Sequence, residues 1–229
     1  MYTAEALQRR GLRPATRTHE RGATIFEPGQ LSERVYFLLG GTVRIYKEYG
    51  LAKEFTSEIL NDSEVFGLEA MAHSGDPPVR HQGAQALADS RVASVRAREL
   101  VGAMRREPGL AGDLLEEAMY GVQRRDAAAE LLVHREVLPR LARALLSLGE
   151  SLGIRSGARI VVEPGLSHAQ LAQMTGCTRE AVSKSVSELR SAGVAEAGGA
   201  GVYILSPEAL TRIAAYSAVT CERTPAAPS

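Results

Sequence analysis

Apolar residues come in short runs over the first hundred positions, each closed by turn-forming residues. Thr24-Ile25-Phe26 leads into Glu27-Pro28-Gly29-Gln30, and Val35-Tyr36-Phe37-Leu38-Leu39 stops at Gly40-Gly41. Thr42-Val43-Arg44-Ile45-Tyr46-Lys47 alternates apolar and polar, the period of a half-buried strand. Residues 54–60, 65–66, 84–87 and 92–95 add further short strands. Many short strands separated by turns predict a closed or double-sheet β-structure such as a jelly roll, with an open antiparallel sheet as the alternative.

The pattern changes after about Ala97. A short helical stretch is expected to end at Gly109, and residues 110–135 contain no proline and no β-rich run. Leu115, Met119, Val122, Asp126, Ala129 and Val133 follow one another at four- and three-residue steps, a heptad-like seam. The seam predicts a dimer interface, because a helix of this length cannot lie entirely on a small roll; packing on the chain's own β-domain is the alternative. Asp126 needs a partner there, and Arg125 is its neighbour. Pro139 places a hinge at 134–138, and a second helix follows with Leu141, Leu145, Leu148 and Leu152 on one face. A loop with short strands near Ile160-Val161-Val162 comes next.

Ser167-His168-Ala169-Gln170 has the form of a capping box, in which serine hydroxyl and glutamine amide satisfy free groups at a helix start. The short helix it opens should stop at Gly176, and Thr178 should cap a second helix from Arg179 to Arg190. Two helices joined by so tight a turn form a helix-turn-helix. With Arg179 at zero on a helical wheel, Ser183, Ser187, Glu180 and Lys184 fall at about 40° to 140°, while Leu189, Val182 and Val186 fall at about 280° to 340°. One flank can pack inward while the other offers long hydrogen-bonding side chains and small serines to base edges. Arginine can donate twice to guanine, and glutamate can accept from cytosine N4. Val194-Ala195-Glu196 and Val202-Tyr203-Ile204-Leu205 flank a Gly198-Gly199-Ala200-Gly201 turn, a β-hairpin that would serve as a wing. Ser206-Pro207-Glu208 starts a last helix. The expected fold is α+β, divided into a β-roll at 1–108, a central helix and hinge at 109–136, and a winged helix-turn-helix at 137–229.

Charge does not decide the matter, since the 229 residues carry 27 Lys+Arg and 27 Asp+Glu. Any DNA binding must rest on a local surface rather than on bulk charge. The two cysteines, Cys177 and Cys221, cannot form a disulfide framework, and Cys177 reads as a small packing residue. No apolar run reaches the ~20 residues of a membrane span. The N-terminus lacks a secretory pattern, so a cytoplasmic setting is expected. His19, His73 and His81 are too dispersed for a metal-dependent enzyme on a β-roll, so neither catalysis nor a cofactor or metal is expected.

Arg21-Gly22, Phe26-Glu27-Pro28-Gly29, the run from Val35 to Val43, Val65-Phe66-Gly67 and Gly176-Cys177-Thr178-Arg179-Glu180-Ala181-Val182-Ser183-Lys184 together resemble the cyclic AMP receptor protein/FNR family of bacterial transcription regulators. The resemblance implies a homodimer on the central helix, with two recognition helices on a near-palindromic, TGTGA-like duplex, and RNA polymerase as a further partner. It gives Arg179, Glu180 and Lys184 base-reading roles, with Ser183 and Ser187 on the same face and Thr178 on a phosphate. The sensor departs from the family pattern. Glu69 stands one place late after Gly67, and Arg80 is a displaced phosphate partner that reads more readily as a solvated loop arginine. Arg125 and Asp126 stand where responsive relatives carry hydroxyls against the purine. No cysteine precedes Cys177 to hold an iron–sulfur cluster, and His73 and His81 read as lone loop histidines rather than haem ligands. Regulation with no small effector, or with one other than cyclic AMP, is therefore expected. A cyclic-nucleotide response through Arg80 is the alternative, with Glu69, Arg80 and Arg125 as candidate effector contacts.

Overall fold

The computed structural model describes residues 2–50, 53–72, 78–163, 166–197 and 203–219. His73, the 198–201 turn with Val202, Cys221 and the tail 224–229 lie outside the described residues. The chain divides into two compact units, Met1–Asp126 and Ala127–Ser229.

In the first unit, α1 (Ala4–Arg9) is followed by eight strands: β1 (Ala15–His19), β2 (Thr24–Phe26), β3 (Arg34–Gly40), β4 (Val43–Glu48), β5 (Glu54–Leu60), β6 (Val65–Phe66), β7 (Gly83–Ala86) and β8 (Ser90–Arg96). They form two four-stranded antiparallel sheets, β1-β8-β3-β6 and β2-β7-β4-β5, which is the expected jelly roll. Phe26, Leu38, Val43, Ile45, Leu60, Phe66, Ala84 and Val92 make one apolar cluster of the roll. A second cluster joins Val35, Phe37, Ala93 and Val95 to Leu7, Leu100, Leu110 and Leu114 of α1, α2 (Ala97–Arg106) and α3 (Pro108–Leu131). Strand β3 thus has apolar neighbours on both faces, and this is why its sequence is a continuous apolar run rather than an alternation.

Two elements have little pattern to read. Strand β1 is exposed along most of its length, and α1 is a six-residue helix capped by Thr3, whose hydroxyl accepts from the Ala6 amide. The expected stop at Gly109 is corrected: α2 ends at Arg106, and Pro108 opens α3, where its missing N–H is no loss. Helix α3 ends at Leu131, so Val133 lies in the turn beyond it. One side of α3 buries Leu110 and Leu114. Leu115, Met119 and Val122 stand exposed on another side, as do Asp126 and Ala129.

In the second unit, α4 (Val137–Leu152) carries Pro139 in its first turn and buries Leu141, Leu145 and Leu148. It packs against α5 (His168–Thr175), α6 (Arg179–Ser191) and α7 (Pro207–Val219). Strands β9 (Gly153–Ser156), β10 (Arg159–Val162), β11 (Ala195–Ala197) and β12 (Tyr203–Leu205) form an antiparallel sheet in the order β11-β12-β10-β9. The β11–β12 pair is the wing hairpin expected behind α6. Among the described residues no helix is long and apolar enough to cross a membrane.

The turn between β3 and β4 depends on Gly41, which has φ +101° and donates its amide to Asp62 Oδ1 at 2.7 Å. A Cβ there would lie 2.5 Å from the Asp89 carbonyl oxygen. Gly41→Ala should therefore lower stability by about 1–3 kcal/mol or more, through a disfavoured φ and a backbone clash, read as a shifted urea midpoint at unchanged slope.

Candidate nucleic-acid interface

Helix α5 starts on the expected capping box. Ser167 Oγ accepts from the Gln170 amide at 3.2 Å, and Gln170 Oε1 accepts from the Ser167 amide at 2.9 Å. The helix stops at Gly176, whose φ of +63° is the left-handed cap. The Cys177 amide donates back to the Ala172 carbonyl at 3.1 Å, and Thr178 Oγ1 then accepts from the Ala181 amide at 3.2 Å to cap α6.

A contact not foreseen from sequence fixes this turn. Arg140, on α4, donates to the Thr175 carbonyl at 2.8 Å and through Nε to the His134 carbonyl at 3.1 Å, with its Nη2 also on His134. Cys177 Sγ lies 3.6 Å from Arg140 Nη1, consistent with a packing residue held in the turn. One guanidinium joins the segment before α4 to the α5–α6 turn, although the two are more than thirty residues apart in sequence. Burial and two nearby arginines, Arg143 and Arg140, hold the His134 imidazole below its usual range.

Helix α6 divides its faces as the wheel predicts. Val182, Val186 and Leu189 are buried, and Ser185 is buried with them. Thr178, Arg179, Glu180, Lys184 and Ser187 are exposed, and Ser183 is half-buried. Ser183 Oγ lies 2.9 Å from His168 Nδ1, and Ser187 Oγ donates to the Ser183 carbonyl at 3.0 Å. The side chains expected to read DNA therefore share one open face of a helix whose other flank is taken up by the core.

The first unit holds a cavity of about 290 Å³ whose walls include Glu58, Glu69, Gln82, Glu117, Arg124 and Arg125. The three residues considered as effector contacts enter two separate ion-pair networks. Arg80 is not the solvated loop arginine expected: it is 2% exposed, with its guanidinium carbon 3.9 Å from the Phe26 ring centroid and 5.2 Å from that of Tyr36. It donates to the Arg34 carbonyl at 2.7 Å and forms an ion pair with Glu69. The aromatic faces and the carboxylate together offset the cost of burying its charge. Arg125 is claimed by Glu58 at 2.7 Å and not by Asp126, which corrects the pairing expected along the seam. Arg124 binds both Glu58, at 3.3 Å, and Glu64, at 2.6 Å. Burial pushes the Glu64 carboxyl above the ordinary range, outweighing its bonds from the Asn61 amide and Arg124. Burial, then the charge of Glu64, pushes Glu117 up as well. His81 is exposed, and among the described residues no three His, Cys, Asp or Glu side chains could hold a metal ion.

Residues 16–107 match the family model of the cyclic nucleotide-binding domain, and residues 139–213 that of the Crp-like helix-turn-helix domain. The chain is similar to the global nitrogen regulator of Synechococcus elongatus, with 31% identity over 193 residues, 84% of this chain and 86% of that protein. It is 27% identical over 192 residues to the CRP-like cAMP-activated global transcriptional regulator of Mycobacterium tuberculosis, covering 84% of each. A solved CRP-family transcriptional regulator from Thermus thermophilus superposes with a TM-score of 0.74 at 26% identity, over 88% of this chain and 97% of that one.

The half-buried carboxyls of Glu64 and Glu117 give the first unit a pH signature. A group whose folded pKa is raised binds its proton more tightly folded than unfolded, so stability falls as pH climbs from the ordinary carboxylate range through the raised value. Glu64→Gln removes that contribution. Lowering the pH from neutral towards the ordinary carboxylate range should therefore raise the urea midpoint of the wild type relative to that of Glu64→Gln.

Proposed function

The chain belongs to the cyclic AMP receptor protein/FNR family of transcription regulators, and from that premise we propose that it acts as a homodimer reading a TGTGA-like, near-palindromic duplex without an ordinary cyclic AMP pocket. The observation that carries the DNA reading is the open row Thr178, Arg179, Glu180, Lys184 and Ser187 on a capped helix whose opposite flank is core. Arg179 and Glu180 occupy the first turn, the part of a recognition helix that reaches bases. Arg179 suits guanine, Glu180 suits the amino group of cytosine, and Thr178 suits a phosphate. Leu115, Met119 and Val122 leave exposed apolar surface on α3, which a second copy would cover. With Asp126, Ala129 and Val133 they form the assigned dimer face. Two α6 helices would then enter successive major grooves about 34 Å apart. Recruiting or excluding RNA polymerase is the action that follows from such binding.

Gel retardation with a TGTGA-type duplex tests this reading. Arg179→Ala should weaken binding by about 1–3 kcal/mol and relax discrimination at one base pair per half-site. Unchanged sequence preference in that variant would show that another face makes the reading.

The absence of an ordinary cyclic AMP pocket is supported by the internal pairing of the candidate contacts. Glu69 sits on Arg80, and Glu58 holds Arg125. A second reading, in which a cyclic nucleotide displaces Glu69 and places its phosphate on Arg80, is favoured by one observation: this arginine is buried among aromatic rings beside a residue of the cavity wall. The similarity to a cAMP-activated relative points the same way. Calorimetric titration of cyclic AMP separates the two. No heat at micromolar concentrations is expected, whereas binding of one molecule per subunit coupled to tighter operator binding would establish the second reading.

A further inference from the structure

Ser183 differs from the other side chains of the open α6 face because its hydroxyl is already engaged within the protein. His168 is the first residue of α5, and its Nδ1 lies 2.9 Å from Ser183 Oγ. A serine hydroxyl has one hydrogen and two lone pairs, and a neutral imidazole has one donor and one acceptor nitrogen. The direction of this single bond decides what Ser183 can still offer. If Ser183 donates to Nδ1, its remaining capacity is acceptor only; if Nδ1 donates, the serine hydrogen is free. Ser187 has spent its hydrogen on the Ser183 carbonyl. With both serines donating inward, the sector of the α6 face that lies between Arg179 and Lys184 on the wheel would present lone pairs.

We propose that His168 is a specificity-determining positioning residue: its Nδ1 accepts the Ser183 hydroxyl hydrogen and holds Ser183 as an acceptor, so that each half-site is read at one base pair for an amino group. In the major groove the amino groups are N6 of adenine and N4 of cytosine. The ring never touches the base it helps select. The inference rests on the assignment of α6 as the base-reading helix, and it adds a residue of the neighbouring helix to the recognition set. The wheel explains why sequence alone concealed it, since only folding sets the start of α5 beside the middle of α6.

The test is in vitro selection of random duplexes with the full-length protein, followed by competition gel shifts using duplexes changed at single base pairs. Wild type, His168→Ala, His168→Asn, Ser183→Ala and the double Ala variant are compared. His168→Ala should reduce discrimination about threefold to tenfold at the same base pair that Ser183→Ala affects, with no further loss in the double variant. His168→Asn should restore preference, because its Oδ1 can accept in place of Nδ1. A role in folding alone would weaken all duplexes evenly. Should His168→Ala fail to fold, Ser183→Ala and His168→Asn still read the same position. Even weakening across duplexes, or effects of the two residues at different base pairs, would overturn the role of His168 while leaving the DNA reading in place. Wild-type protein with no sequence preference would instead overturn the reading on which it rests.

Discussion

The guanidinium of Arg140 is the contact on which the second unit turns. It supplies hydrogen bonds to two backbone carbonyls, His134 before α4 and Thr175 at the end of α5. Carbonyls at a helix end have no intrahelical donor, and a charged donor on one is worth about 1.5–3 kcal/mol. Holding Thr175 fixes the end of α5, Gly176 then takes the left-handed cap, and the chain re-enters helix at Thr178. The direction of α6 follows from these three steps. The first turn of α6 is thus aimed by hydrogen bonds between backbone groups and the Arg140 and Thr178 side chains.

The first unit solves a different problem, which is the burial of charge. Arginines and glutamates lie in or beside the roll's cavity, and most of them find partners within the unit. Arg80 packs against the Phe26 and Tyr36 rings and is paired with Glu69; Glu58 takes both Arg124 and Arg125; Glu64 shares Arg124. Breaking one member would leave another charge desolvated, so the loss of a single partner costs more than the net worth of the pair.

Local signals were strong where the sequence carries its own geometry. The capping box at Ser167, the glycine at 176, the threonine cap at 178 and the 3.6-residue division of α6 each depend on residues within a few positions of one another, and the structure reproduces them. The strands from β2 to β8 were readable for the same reason. Strand β1 was not, because Ala15-Thr16-Arg17-Thr18-His19 is exposed and has no apolar alternation. The state of Arg80 depends on Phe26 and Tyr36, which lie more than forty residues earlier, and Glu58 and Arg125 are separated by 67 positions. Pattern within a window cannot see such pairs. The α2–α3 break was misplaced by a residue or two, since Pro108 suits the first position of a helix better than Gly109 suits an end.

Arg80 is paired with Glu69 of its own chain. A receptor domain that must borrow a counter-ion from its ligand is least stable when that ligand is scarce, and unfolding then feeds proteolysis. This roll carries the counter-ion in its own chain. The guanidinium therefore has its charge offset inside the folded unit, without an anion supplied from solution.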